Sequence, residues 1–347
     1  MRLRCQRLVL GLASLTLSLA ALELLLRMFG VSPSRGIHFA VKLDFYRLDP
    51  DLIWSFVPNA HATWGTDEFT ETTFINSLGL RGPEVPPQRG GERSILTLGD
   101  SFTYGHGVRQ TETYPAVLEA LLRRDGWRVV VLNAGVPGYS MDQSYRGFLL
   151  RWRRLRPGLV IVGVTAGDVL YDSDKSLYDV RDGTLVPLDA RRNSIYLQGL
   201  LYRAAPPPVR RLKLFRWLAA SLGALDPLGQ VARRPGDELV AWMRRKVELE
   251  LTQIDRISER MIVVLVPCRS DVRNACEAAF AELVPWLRTA GIVFLDGDAA
   301  LDARGGDPDR LFYVKDLHMN AEGNRVLASA VAELIVREQL LERHPPG

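Results

Sequence analysis

Apolar and polar positions change rhythm twice along this chain. From Leu8 to Leu26 the residues are almost all Leu, Ala, Ser and Val, with Glu23 the one charge among them. About 20 such residues cross a bilayer. Arg2, Arg4 and Arg7 stand in front of the run, which predicts a cytoplasmic N-terminus and everything beyond Met28 on the other side of the membrane. A cleavable signal peptide is the rival reading, because Ser18-Leu19-Ala20 is a small-x-small site. The apolar pattern continues past that site through Leu24, Leu25 and Leu26, which favours an uncleaved anchor over residues 1–30.

Between Val31 and Arg93 the composition turns to Asp, Asn, Pro and aromatics, with short β-like runs at Leu52–Phe56 and Phe69–Ile75. Residues 31–93 therefore read as an extended membrane-proximal arm. It closes on the turn-rich Asn76-Ser77-Leu78-Gly79-Leu80-Arg81-Gly82 and a Pro/Gln/Gly linker to Gly91. Packing the arm onto the main domain is the expected role, ahead of a direct part in chemistry.

From Ser94 the pattern alternates between buried-strand runs and helical spacing. Strands are expected at Ser94–Leu98, Val129–Leu132 and Leu159–Val164, with helices at Tyr114–Arg124 and from Ser140 through Leu150, where Ser140 and Gln143 form a capping box. This βαβαβ order with β-branched strands predicts a parallel sheet covered on both faces. The rhythm breaks after Asp168 and resumes with a helix from about Glu238 to Glu259, strands at Met261–Val266 and Ile292–Leu295, and a last helix from Ala321 to Leu340 capped by Asn320. The main domain is thus residues 94–347, α/β with five parallel strands, carrying an insertion at about 175–237. Within the insertion, the basic segment Val209–Leu218 has helix-compatible apolar positions. A cap helix with a solvated basic face is favoured over a membrane-surface helix.

At 347 residues, 47% hydrophobic and 24% charged, the chain is globular material for one large α/β domain plus an appendage. A formal charge of +4, fed partly by the N-terminal arginines, gives no nucleic-acid signal. Cys5, Cys268 and Cys276 have no metal-ligand spacing. Outside the cytoplasm Cys268 and Cys276 are near enough in sequence for a disulfide, and two free thiols are the open alternative. No metal or other cofactor is implied.

The chemistry gathers at two places. Ile95–Leu98 stops at Gly99-Asp100-Ser101, which delivers a hydroxyl to the carboxyl end of a strand, where parallel sheets bind ligands. A serine needs a base, and the base needs an orienting group. Just before the final helix stands Asp316-Leu317-His318, and in an extended segment residues two apart face the same way, so Asp316 can fix the tautomer of His318. His106 reads as a loop residue. Ser101 is not in a Gly-x-Ser-x-Gly elbow, since position 103 is Thr, and no Gly-Lys-Ser/Thr follows Gly99 to make a phosphate loop.

Gly99-Asp100-Ser101, the Asn133-Ala134-Gly135 turn, a Gly167-Asp168 pair after strand three and Asp316-x-His318 together resemble the SGNH (GDSL-type) hydrolases. The anchor and the Asn76–Arg81 segment resemble membrane-tethered bacterial members close to polysaccharide O-acetyl esterases and acetyltransferases. The resemblance implies a flavodoxin-like three-layer α/β/α fold. It also implies Ser101 as nucleophile, His318 as base and then acid, Asp316 as its orienting carboxylate, and the Ser101 and Gly135 N–H groups as oxyanion donors. The family supplies a further donor from an asparagine at the position of Gly167. Here Gly167 N–H, Thr165 or a group from the insertion would have to replace it. The implied function is cleavage or transfer of a small acyl group, acetyl first, on an envelope or extracellular glycan, with an acylated glycan or small ester as substrate. The alternative is a catalytically impaired glycan-binding or assembly protein.

Overall fold

The computed structural model describes residues 2–30, 44–85, 92–224, 236–304 and 307–342. The start of the arm, its linker to Gly91 and residues 225–235 of the insertion lie outside the described residues. The chain forms two compact units, one of residues 1–54 and 190–230, the other of residues 55–189 and 231–347.

The first unit is built on helix α1 (Arg2–Met28). Its segment Val9–Met28 is 20 residues long with mean hydropathy 2.1, long and apolar enough to cross a membrane. The carboxylate inside that segment has partners. Glu23 accepts from Arg27 Nε at 2.7 Å and from the backbone N–H groups of Lys213 and Leu214 at 3.0 and 2.8 Å. The basic segment of the insertion forms the helices Pro207–Arg210 and Lys213–Ala224, and Glu23 thereby satisfies open N–H groups at the start of the second. The segment Val209–Leu218 is not one cap helix but is split at Arg211 and Leu212, and the second helix packs along α1.

The second unit holds a five-stranded sheet: β1 (Arg93–Leu98), β2 (Val129–Asn133), β3 (Leu159–Val164), β4 (Met261–Leu265) and β5 (Phe294–Asp296). All neighbours pair in parallel in the order β5-β4-β3-β1-β2. Every residue of β3 and β4 is buried, as expected of central strands covered on both faces. After β1 comes the short helix α2 (Ser101–Tyr104), then α3 (Tyr114–Arg124), α4 (Met141–Gly147), α5 (Ala166–Leu170), α6 (Gly236–Ile257) and α7 (Ala321–Arg337). Ile95, Ile161, Ile262 and Val264 pack with Leu118 and Leu122 of α3 and Val331 and Leu334 of α7. Helix α6 packs with α4 and α5. The result is the expected three-layer α/β/α fold.

Two expectations need adjustment. The helix from Ser140 does not run regularly to Leu150: α4 ends at Gly147 and a π-helical turn, Phe148–Trp152, follows. The Trp152 ring sits 2.5 Å from where a Cβ on residue 147 would stand, so the wide turn depends on that glycine. Only half of the capping box is made. Gln143 Oε1 accepts from the Ser140 N–H at 3.1 Å, whereas Ser140 Oγ is buried without a hydrogen-bond partner. Asn320 does cap α7, its Oδ1 accepting from the N–H groups of Glu322 and Gly323.

Of the arm, residues from 55 on belong to the second unit. There the antiparallel strands His61–Gly65 and Thr70–Phe74 form a hairpin whose turn carries Glu68. Cys268 and Cys276 are joined as a disulfide.

Candidate active site

The register Leu98 to Val162 and Thr97 to Asn133 brings the carboxyl ends of β3, β1 and β2 side by side, so the turns that leave them share one edge. At the end of β1 the chain must reverse into α2 within three residues. Gly99 does this at φ 151°, in the region that favours glycine. Asp100 caps α2 by accepting from the Phe102 N–H at 2.9 Å, and Ser101 is the first helical residue. The turn after β2 presses directly on α2, since a Cβ on Gly135 would lie 2.6 Å from the carbonyl carbon of Thr103.

Across this edge Ser101 Oγ lies 2.7 Å from His318 Nε2, and His318 Nδ1 lies 2.5 Å from Asp316 Oδ1. The same Asp316 oxygen accepts from the backbone N–H of His318 at 2.9 Å. The side-chain hydrogen bond to His318 holds the Asp316 carboxyl down at about 2, so it remains an anion at neutral pH. With Nδ1–H turned to that anion, Nε2 is left as an acceptor for the serine proton, the tautomer that general-base chemistry requires.

The loop carrying Asp316 is held from outside by a residue the sequence did not reveal. Glu68 of the arm hairpin accepts from the N–H groups of Val314, Lys315 and Asp316 at 2.8, 2.9 and 3.0 Å. Arg269 donates to the carbonyls of Tyr313 and Val314, and Tyr313 Oη donates to the Gly107 carbonyl at 2.7 Å. The hairpin of the arm thus packs on the main domain and in doing so fixes the orienting carboxylate. No local motif announces this, because residues 68 and 316 are brought together only by the fold.

His106, expected to be a loop residue, stands at the site: its ring centroid is 4.7 Å from that of His318, as is the Phe102 ring on another side. Among the described residues, His106, Asp316 and His318 could hold a metal ion, their ligand atoms lying within 4.8 Å of one another. Asp316 and His318 already satisfy each other, so a cation there would compete with their hydrogen bond.

The expected oxyanion donors are placed unevenly. Ser101 N–H sits at the open start of α2. Gly135 N–H instead donates to Asn133 Oδ1 at 3.0 Å. Gly167 lies in the first turn of α5, where backbone donors lack intrahelical partners. Thr165 does not reach inward: its hydroxyl donates to Asp168 Oδ2 at 3.0 Å, while Asp168 Oδ1 takes the Met141 N–H at 2.6 Å.

Burial pushes Asp100 up to about 6 and Asp168, with the added charges of Asp172 and Asp100, up to about 7. Both exceed the unfolded carboxyl range of about 4. Between those values the folded chain keeps protons that the unfolded chain has lost, so stability falls as pH rises through this window. The Tm from scanning calorimetry is expected to be higher at about pH 5.5 than at about pH 7.5. An increase in Tm over the same rise in pH would contradict these assignments.

Residues 97–326 match the model of the GDSL-like lipase/acylhydrolase family. No curated protein matches the sequence. Among solved structures, a lipase/acylhydrolase from Enterococcus faecalis is 14% identical with TM-score 0.46, covering 71% of this chain and 96% of that one. An acetylxylan esterase from Geobacillus stearothermophilus is 15% identical with TM-score 0.42, covering 70% and 94%. A G-D-S-L family protein from Desulfitobacterium hafniense is 16% identical with TM-score 0.39, covering 70% and 98%. With the family match running from the strand before Ser101 into the helix after His318, the chain belongs to the GDSL-like lipase/acylhydrolase family of acyl ester hydrolases.

Proposed function

We propose that Ser101, His318 and Asp316 form a catalytic triad that cleaves or transfers a small acyl group, acetyl in the leading case, on an envelope or extracellular glycan. The observation that carries this reading is the continuous chain of hydrogen bonds from Ser101 Oγ through both His318 nitrogens to Asp316. Ser101 Oγ attacks the ester carbonyl as His318 Nε2 takes its proton. The negative charge that develops on the carbonyl oxygen is met by the Ser101 N–H. His318 then returns the proton to the departing sugar oxygen, leaving the acyl group on Ser101. Water, or a sugar hydroxyl in the transferase case, repeats the sequence in reverse.

The glycan assignment is supported by the resemblance of the anchor and the Asn76–Arg81 segment to tethered members that handle O-acetyl groups. Purified full-length protein in detergent is expected to release acetate from an acetylated oligosaccharide. In the transferase case, an unacetylated acceptor would gain acetyl groups detectable by mass spectrometry. Glycan binding without acetate release or transfer would favour the assembly-protein alternative and overturn the enzymatic reading.

The same proposal places α1 across the inner membrane with residues after Met28 in the periplasm. Support comes from the arginines before the span and from the Cys268–Cys276 disulfide, a bond that persists in oxidising compartments. A reporter fused after Gly30 is expected to be active only as alkaline phosphatase. Activity only as a cytoplasmic reporter would reverse the orientation.

A further inference from the structure

A membrane span offers no water to a carboxylate, yet Glu23 stands inside Val9–Met28. Its partners beyond α1 come from the insertion, in the same compact unit. Glu23 takes the N–H groups of Lys213 and Leu214, Lys213 Nζ donates to the Leu26 carbonyl at 3.5 Å, and Arg27 Nη2 donates to the Arg211 carbonyl at 3.3 Å. The helix Lys213–Ala224 is thereby fastened to the last turns of α1.

That attachment fixes its depth. The 20 residues of the span make about 30 Å of helix, the thickness of a hydrocarbon core. Glu23 precedes Met28 by five residues, roughly 7 to 8 Å along the axis. A helix starting beside Glu23 therefore begins where acyl chains meet headgroups, at the depth of about 5 to 10 Å to which amphipathic helices sink in the interface.

The composition of the segment suits that depth. Val209 to Ala224 contains no acidic residue, while Arg210, Arg211, Lys213 and Arg216 are all cationic. Lys213, Arg216 and Trp217, spaced i, i+3 and i+4, share one face, whereas Phe215 and Ala219 pack inward with Tyr202. Trp217 and Leu218 are 44% and 47% exposed. Cations beside an indole match the headgroup level: the long stems of Lys and Arg reach from apolar surroundings to phosphates, and Trp pairs an apolar body with one polar edge.

We propose that the helix Lys213–Ala224 lies in the membrane surface and binds anionic phospholipid headgroups through Lys213, Arg216 and Trp217, in place of the solvated basic face expected from the sequence. Glu23 is then the seat that sets the depth of this helix, which accounts for a carboxylate kept in an otherwise apolar span. The inference rests on the reading that α1 crosses the membrane.

The test uses the full chain in vesicles of phosphatidylethanolamine and phosphatidylglycerol. In a Cys5→Ser background, one position at a time carries a fluorophore on an introduced thiol, by Ser18→Cys in the span or Leu218→Cys on the helix. Nitroxide-bearing lipids quench fluorophores in the bilayer, and iodide quenches those in water. Both labels are expected to be quenched by lipid and shielded from iodide. The label at 218 should be quenched at least about twofold more by nitroxide phosphatidylglycerol than by nitroxide phosphatidylcholine, because cations at the surface enrich anionic lipid around them. Lys213→Gln with Arg216→Gln should bring the two lipids level while the label stays shielded from iodide. A lipid-quenched label at 18 beside an iodide-quenched label at 218 would overturn the inference while the span stands. Equal quenching by the two lipids with the basic residues intact would overturn it as well. A label at 18 quenched by iodide alone would remove the span and the inference together.

Discussion

Ser101→Ala is expected to lower kcat for p-nitrophenyl acetate on the order of 10⁶-fold, the scale seen when the nucleophile of a serine triad is removed. The reason is local. His318 Nε2 lies 2.7 Å from Ser101 Oγ, and without the hydroxyl the base has only water to activate, with no covalent intermediate to divide the reaction. His318→Ala should cost about as much, and the double variant little more, because nucleophile and base act as a unit. Asp316→Asn should cost less, about 10⁴-fold. The asparagine can still contact Nδ1, but it removes the anion that selects the Nδ1–H tautomer. Initial rates of wild type and the four variants at matched concentration decide the matter. Comparable rates for Ser101→Ala and wild type would sink the serine mechanism, and additive losses in the double variant would show that the two residues work separately.

What the sequence disclosed here was what local rules govern. The apolar run ending at Gly99 marks a strand end, and the Asp316-x-His318 spacing works in any extended segment, so these groups were visible before the fold was known. The structure brings all three within hydrogen-bond distance. The strands were legible for the same reason: buried β-branched runs such as Leu159–Val164 form a strand with those bounds. What escaped was whatever depends on residues distant in sequence. Glu68 looks like any exposed turn carboxylate until residues 314–316 are folded against it. His106 carries no local signal because its significance is its distance from His318. The Asn133 side chain turns back on the Gly135 N–H, a rotamer choice that neither composition nor spacing encodes. A glycine at 167 reads as a missing donor, and only the structure shows the Tyr171 ring packed against it.

Arg81→Ala is expected to destabilise the protein by about 3 to 5 kcal/mol, the scale for removing one partner of a buried ion pair. The segment holding Arg81 reads in sequence as a turn, yet the guanidinium and the Glu71 carboxylate are both fully buried, 3.3 Å apart. Arg81 also donates to the carbonyls of Tyr104, Gly105 and Val108 at 2.8, 2.6 and 2.7 Å, and lies 4.2 Å from the Tyr104 ring centroid. Those carbonyls belong to the chain leaving α2, so one side chain braces the loop that follows the nucleophile. Burial already raises the Glu71 carboxyl despite the opposing charge of Arg81. Removing that charge leaves the desolvation opposed only by hydrogen bonds such as those from the Gly107 N–H and Trp64 Nε1, and strands three carbonyls as well. For a unit of this size the loss corresponds to a Tm lower by about 10 °C. Arg81→Lys should recover little, because a single ammonium cannot meet three carbonyls and a carboxylate in the fork geometry of a guanidinium. Arg81→Met with Glu71→Gln should be less damaging than Arg81→Ala alone, since no buried charge is left without a partner. Calorimetry on the single and double variants separates these effects. An Arg81→Ala protein that melts within a degree or so of wild type would show that the arm is held by its apolar contacts and that the buried pair is dispensable.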